Sequence, residues 1–451
     1  MGVVIQIGQL LLSLSILIIL HELGHFIFAR LFNTRVEKFY LFFDPWFSIF
    51  KIKKGDTEYG IGWLPLGGYV KISGMIDESM DREQLKQPPQ PWEFRSKPSG
   101  QRLLIMLGGV LVNLILGFLI YSAVLYTWGE KFLPNKNLTH GIWCVDSTAL
   151  DIGFRNGDKI ISINDYEPQR YEDIFREIIF GGNVKVLREN KVDSFYVPTD
   201  FVGSLVKERN MMLFYPRVPF IIREIPDTSV NKSSGLMAKD QLISINNIPV
   251  QFYDEYLTIA DTLTPGIFSA RVLRDGNPVD INLTLTPQKK LEVVTLIPSF
   301  DELEKLGMYT LETRTFSFFE AIPAGFKLAG SQLSFYIKQF KLIFDFKTGA
   351  YKGLGGFGTI GGLFPKDWSW EAFWEITAFL SLILAFMNVL PIPALDGGHV
   401  MFLLYEIVTR RKPSEKFMEY AQIVGMVIII GLLVFANTND IVRGIEKWFG
   451  K

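Results

Sequence analysis

The sequence predicts a multi-pass membrane protein with four transmembrane helices, a membrane-associated β-hairpin after the first helix, and two β-rich domains in mid-chain. Three observations carry this reading. Four stretches each hold about 20 mainly apolar residues, enough to span a bilayer. The 451-residue chain is 48% apolar yet 21% charged, too charged for a bundle lying wholly in lipid. A turn-and-strand pattern also occurs twice, about 80 residues apart, between the second and third apolar stretches.

The first span runs from Val3 to about Phe28, within a segment set at 1–30. It lacks the basic start and small-residue cleavage site of a signal peptide, so it reads as a retained helix. Residues 31–102 follow, with Gly60 to Met75 as the hairpin and Asp77 to Gly100 as a polar linker. Leu103 to Tyr126 is the second span. In the mid-chain, Gly153–Asp158 leads into KIISIND and Gly235–Asp240 into QLISINN. A glycine-bearing turn feeding an alternating strand predicts two similar domains, over 127–210 and 211–290. In the following 291–371 segment, Phe316 to Phe346 has apolar residues at helical spacing. That fits an interfacial helix or a strut packed under the soluble domains. The third span covers about Ala372 to Leu390 in a segment reaching 404, and the fourth about Tyr420 to Ala436 in 405–451.

The flanking loops orient these spans. Arg30, Arg35, Lys38, Lys51, Lys53, Lys54, Arg95, Lys97 and Arg102 lie between the first and second; Arg410, Arg411, Lys412 and Lys416 lie between the third and fourth. Short basic loops stay in the cytoplasm, which leaves both termini and residues 127–370 outside. Net charge is −1, so no basic excess favours nucleic acid. Cys144 is the single cysteine; it permits no internal disulfide and reads as a small buried hydrophobe.

Three of the four histidines sit in two apolar segments. His21-Glu22-Leu23-Gly24-His25 puts two imidazoles at i and i+4 on one helix face, where both reach a single tetrahedral Zn²⁺. Glu22 then stands beside the water that zinc activates, as a general base for attack on a carbonyl. A hydrolytic zinc site adds a third protein ligand. Candidates lie in Asn388-Val-Leu-Pro-Ile-Pro-Ala-Leu-Asp396-Gly-Gly-His399, where Pro391 and Pro393 interrupt the helix. Asp396 has the required charge, and His399 competes by chemistry alone. Gly108 and Gly109 suit close helix packing, with Asn113 one turn on as a residue facing the active site.

Together these residues resemble the site-2 protease family of intramembrane metalloproteases, in particular its regulator-of-sigma-E protease branch. The resemblance rests on His21–His25, Pro65-Leu-Gly-Gly-Tyr-Val-Lys71, Phe94–Pro98, Gly109-x-x-x-Asn113, the paired turns, and Asn388–Gly398. It implies His21, His25 and Asp396 as ligands of one Zn²⁺ per chain, with Glu22 as base. Asn388, Gly67, Gly68, Tyr69 and Asn113 would meet the substrate, and His399 would lie outside the ligand set. The implied fold adds two circularly permuted PDZ domains in the periplasm, with the zinc near the cytoplasmic face of a bacterial inner membrane. The implied substrates are single-pass proteins already shortened by a first protease: anti-sigma factors and remnant signal peptides. Three positions depart from the family pattern. Val110 follows Gly109 where proline is usual, Lys239 replaces the glycine of the first turn, and Gly356–Gly361 lacks a proline. Two other classes bear on the same features. One is a membrane zincin with a downstream glutamate ligand, for which Glu375, at the outer end of the third span and well away from the predicted site, is a poor candidate; the other is a non-catalytic scaffold binding envelope proteins through its β-rich domains.

Overall fold

Helix α1 (Gly2–Leu31) opens the chain, apolar on nearly every face, as a lipid-embedded helix must be. It stops at Asn33, whose left-handed backbone (φ 53°) lets the Asn33 and Thr34 N–H groups return to the Arg30 and Ala29 carbonyls. The computed structural model describes residues 1–65, 67–75, 87–208 and 212–448; residues 77–86 of the expected linker lie outside them.

After α1 come strands β1 (Val36–Leu41), β2 (Phe50–Lys54), β3 (Thr57–Ile61) and β4 (Tyr69–Ile72). They form one sheet in the order β2-β3-β1-β4. This corrects the expected hairpin over Gly60–Met75. Gly55 and Asp56 make the hairpin turn, joining β2 to β3, and Gly55 takes φ 62° there. β1 then inserts between β3 and β4, parallel to the first and antiparallel to the second. Phe39 and Tyr59 carry one face of the sheet onto Phe26 of α1, at ring separations of 5.6 and 6.2 Å.

Helix α2 (Ser99–Thr127) returns along α1. A side chain on either Gly24 or Gly108 would strike the other's backbone, so these glycines set the crossing distance. In the following unit, Glu130–Arg314 with Leu342–Lys352, β5 (Glu130–Phe132), β6 (Ile142–Cys144), α3 (Ser147–Asp151), β7 (Lys159–Ile163), α4 (Tyr171–Ile178), β8 (Gly182–Arg188) and β9 (Lys191–Val197) come first. Next are α5 (Phe201–Glu208), β10 (Phe214–Pro216), β11 (Ile221–Glu224), β12 (Gln241–Ile245), β13 (Ile248–Pro249), α6 (Tyr253–Thr262), β14 (Gly266–Arg274) and β15 (Asn277–Leu285). β16 (Val294–Leu296), α7 (Phe300–Lys305) and β17 (Glu312–Arg314) complete it.

Within this unit the two glycine-bearing turns lead into separate sheets, β7-β8-β9 and β15-β14-β12-β11-β16. Beyond residue 210, β10 returns to pair with β6, and beyond residue 290, β16 pairs with β11. The repeat extends to its electrostatics. Buried Asp158 and Asp240 each bind the arginine that ends the strand paired with the one after their turn, Arg188 of β8 and Arg274 of β14, which also bond the turn carbonyls of Gly153 and Gly235. Lys239 adopts φ 72° where Gly157 adopts 88°, so the turn survives the substitution. Cys144 is buried, and burial pushes its thiol up to about 12, the behaviour of a packing residue.

Beyond this unit, α8 (Phe318–Phe344), α9 (Phe357–Gly362), α10 (Trp370–Val389), α11 (Asp396–Thr409) and α12 (Glu415–Trp448) follow. Helices α1, α2, α10 and the Lys416–Glu446 part of α12 are long and apolar enough to cross a membrane. α8 packs along this bundle: Ala329 joins Ile120, Val124, Ala378 and Leu382, and Phe326 stacks on Phe118 at 4.7 Å. The expected third segment, 372–404, is two helices. Leu390 is extended, as a residue before proline must be, and the chain restarts helically only at Asp396.

Candidate active site

α1 presents His21 and His25 one turn apart, with ring centroids 4.9 Å apart and Nε2 atoms 3.4 Å apart. α11 begins at Asp396, which brings Oδ2 to 3.3 Å from both Nε2 atoms. The local fold makes this approach possible. Any side chain at Gly397 or Gly398 would run into the carbonyls of Leu390 or Ile392, so only glycine lets α11 start folded back on the 390–395 loop. Ala394, at φ 83°, makes the turn itself.

The imidazoles are fixed from behind. The Ile105 carbonyl accepts from His25 Nδ1–H at 2.8 Å, leaving the Nε2 lone pair for the centre of the trio. The Asn113 amide lies 3.1 Å from His21 Nδ1, and its Oδ1 has no partner among the described residues. Turned so that Oδ1 accepts from Nδ1–H, this amide fixes the tautomer and frees Nε2 of His21 likewise. Asn113 is fully buried, is not among the residues lining the cavity, and lies against His21, the position of a residue that orients a histidine. Gly109 makes the space for both rings, since a methyl there would lie 2.6 Å from His21 Cε1 and as close to His25 Nε2.

Whether zinc suits this trio is a question of donor spacing. Ligand atoms about 2.0–2.1 Å from a tetrahedral ion lie about 3.3 Å from one another. The three measured edges are 3.4, 3.3 and 3.3 Å. Asp396 Oδ2 is moreover a buried carboxylate oxygen with no hydrogen-bond partner among the described residues, a state that a cation resolves. His21, His25 and Asp396 are the group among the described residues whose ligand atoms lie close enough together to hold a metal ion.

These groups line a cavity of about 740 Å³. Glu22 stands in its wall and receives a hydrogen bond from the Val70 backbone amide of β4. Gly67, Gly68 and Tyr69 are also in the wall. Tyr69 donates to Asp44 at 2.9 Å and stacks on Tyr40 and Phe43, so its ring is held by the sheet. Asn388, in the last turn of α10, reaches to 3.3 Å from His21 Nε2. His399 is in the wall but outside the metal-binding trio. Glu375 lies 13 residues before Asn388 on the same helix, about 20 Å along its axis, so the glutamate-ligand zincin is not supported. Sequence reasoning missed the roles of Val70, Ile105 and Gly109. The first two act through backbone atoms, which carry no residue-type signal.

Residues 9–432 match the family model of peptidase family M50. The chain belongs to peptidase family M50. Its similarity to individual members runs nearly end to end. The regulator of sigma E protease of Haemophilus influenzae is 25% identical over 465 residues, covering 97% of this chain and 99% of that protein. Metalloprotease MmpA of Caulobacter vibrioides is 25% identical over 456 residues, covering 98% and 96%. A Rickettsia conorii protein provisionally named a zinc metalloprotease is 28% identical over 436 residues, covering 96% and 97%. This M50 chain is therefore a metallopeptidase, and its metal is zinc. Its four apolar helices and these relatives make it a bacterial inner-membrane protein.

Proposed function

We propose that this M50 peptidase cuts peptide bonds inside the membrane-embedded segments of single-pass proteins. The observation that carries the proposal is the 3.3–3.4 Å triangle of His21, His25 and Asp396 ligand atoms beside Glu22, with both histidines and Glu22 on a helix long and apolar enough to cross a membrane. His21, His25 and Asp396 hold one zinc per chain. When bound, zinc supplies Lewis acidity and eases the loss of a proton from water at neutral pH.

A substrate helix must be unwound before its peptide bonds are accessible. β4 is an edge strand of the sheet and lines the cavity, so an extended substrate segment adds to it by backbone pairing. Gly67, Gly68 and Tyr69 would border that segment, and Asn388 would hold its backbone near the zinc. Water then attacks the scissile carbonyl carbon. Its proton passes to Glu22, and Glu22 gives it to the amine nitrogen as the C–N bond breaks.

The two β-rich modules act as circularly permuted PDZ domains on the periplasmic side, admitting only proteins whose outer domain has been removed. Cleaved anti-sigma factors and remnant signal peptides are the proposed substrates. The basic loops at 30–102 and 410–416 support this orientation, with the zinc nearer the cytoplasmic face.

The test measures zinc content and cleavage of a model single-pass substrate with purified wild type, Glu22→Gln and Asp396→Ala. The proposal expects about one zinc per chain and a 10²–10⁴-fold loss of cleavage in Glu22→Gln, with zinc lost in Asp396→Ala. Unimpaired cleavage in Glu22→Gln would remove the mechanism. Retained zinc and activity in Asp396→Ala would remove the ligand assignment.

A further inference from the structure

α12 is a lipid-embedded helix with mostly exposed apolar side chains, and it carries one polar residue that this setting does not explain. Gln422 is only 6% exposed, and among the described residues it is the sole member of α12 in the wall of the active-site cavity. Its carboxamide has no hydrogen-bond partner among the described residues, in a chain where Asn113, Ser381 and Thr377 in neighbouring spans are all engaged. Its polar atoms are not among the fully buried ones left unpaired, so they open onto the cavity, where a bound segment can reach them. The fold fixes Gln422 in place: one turn on, Gly425 touches the Pro393 carbonyl so closely that any side chain would collide with it. α12 is thereby seated on the 390–395 loop, next to Ala394, Leu395 and Asp396 of the same cavity wall.

An extended peptide has two hydrogen-bonding edges. Pairing with β4 satisfies one of them, and lipid offers nothing to the other. A carboxamide carries both a donor and an acceptor, the pair of groups that one residue of a strand edge presents.

We propose that Gln422 is a substrate-binding residue whose carboxamide pairs with the backbone edge of the bound segment that β4 leaves free. This rests on the reading that substrate binds extended on β4. Loss of one or two such bonds weakens binding by roughly five- to tenfold. α12 thus contributes to recognition of the unwound segment independently of its side chains, through backbone groups common to all substrates.

The experiment uses the full-length zinc-loaded protein in lipid nanodiscs. The probe is a synthetic single-pass substrate in which backbone amides near the scissile bond are replaced one at a time by esters. Gln422→Leu should raise KM roughly five- to tenfold while zinc stays at about one per chain and kcat falls far less. Gln422→Asn should recover part of the loss. One ester position should raise KM in wild type and have no further effect in Gln422→Leu, the non-additivity of a shared bond. If ester penalties appear in wild type and persist undiminished in Gln422→Leu, strand binding stands and the Gln422 assignment fails. If no ester position alters KM, the β4 reading fails, and this inference with it. An unchanged KM in Gln422→Leu also overturns it.

Discussion

At the residue scale, the chemistry depends on who stands behind the ligands. His25 is set by a main-chain carbonyl and His21 by Asn113, so the two imidazoles differ in their sensitivity to mutation. Asn113→Leu should lower zinc affinity about 10–100-fold, the usual cost of losing a partner of a ligating histidine; competition with a graded chelator series measures it. Gly109→Ala should have a comparable effect by steric means, because its methyl would occupy ring space. Unchanged zinc affinity in Gly109→Ala would show that the rings have room that the packing denies.

Elements are held by a few polar anchors at each end. In the β-rich unit, Asp158 is fully buried and takes two hydrogen bonds from Arg188, which also ties the turn at Gly153. Asp158→Ala should lower the apparent unfolding midpoint of that unit by roughly 5 °C or more, since it removes two hydrogen bonds of Arg188, which keeps Asp193, and leaves the Arg155 amide of the turn unpaired. Calorimetry of the full chain tests this; a shift under 1 °C would mean that the pair is dispensable. His140 in the same unit packs on Phe252 and Tyr309. Burial, followed by the nearby Arg217 and Lys159 charges, holds it below its ordinary value of 6.5. Folding therefore favours the neutral ring. The stability this contributes is present above pH 6.5 and is lost as pH falls through that value toward the lower folded pKa. His140→Gln should flatten the decline of the midpoint between pH 7 and pH 5; an identical pH profile would exclude this source.

For the whole molecule, the site is an assembly of segments far apart in the chain, with α1 supplying His21 and His25 and α11 supplying Asp396. Bound zinc links them, so chelation should lower the unfolding midpoint and abolish cleavage together, and added Zn²⁺ should restore both. Deleting 135–290 should permit cleavage of intact substrates that wild type rejects. Unaltered selectivity in that deletion would remove the filter role proposed for the two modules.

The sequence by itself determined the spans, the catalytic helix and the module repeat, because each is written in a local period. Twenty apolar residues, a histidine pair at i and i+4, and a glycine turn before alternating residues all lie within one element. Asp396 was legible for a similar reason, since few acidic groups stand in the apolar stretches. What only the tertiary structure decided involves residues whose meaning comes from distant neighbours. Insertion of β1 between β3 and β4 is a non-local pairing, and it replaced the hairpin that Gly60–Met75 suggested. Nothing in the sequence around Asn113 announces the His21 imidazole, 92 residues away, that its amide meets. Gly109 and Gly397 resemble flexible glycines in one dimension, yet neither has a positive φ, and both serve by lacking a side chain where another segment passes. Steric room of that kind belongs to two segments at once, so no reading of one of them alone contains it.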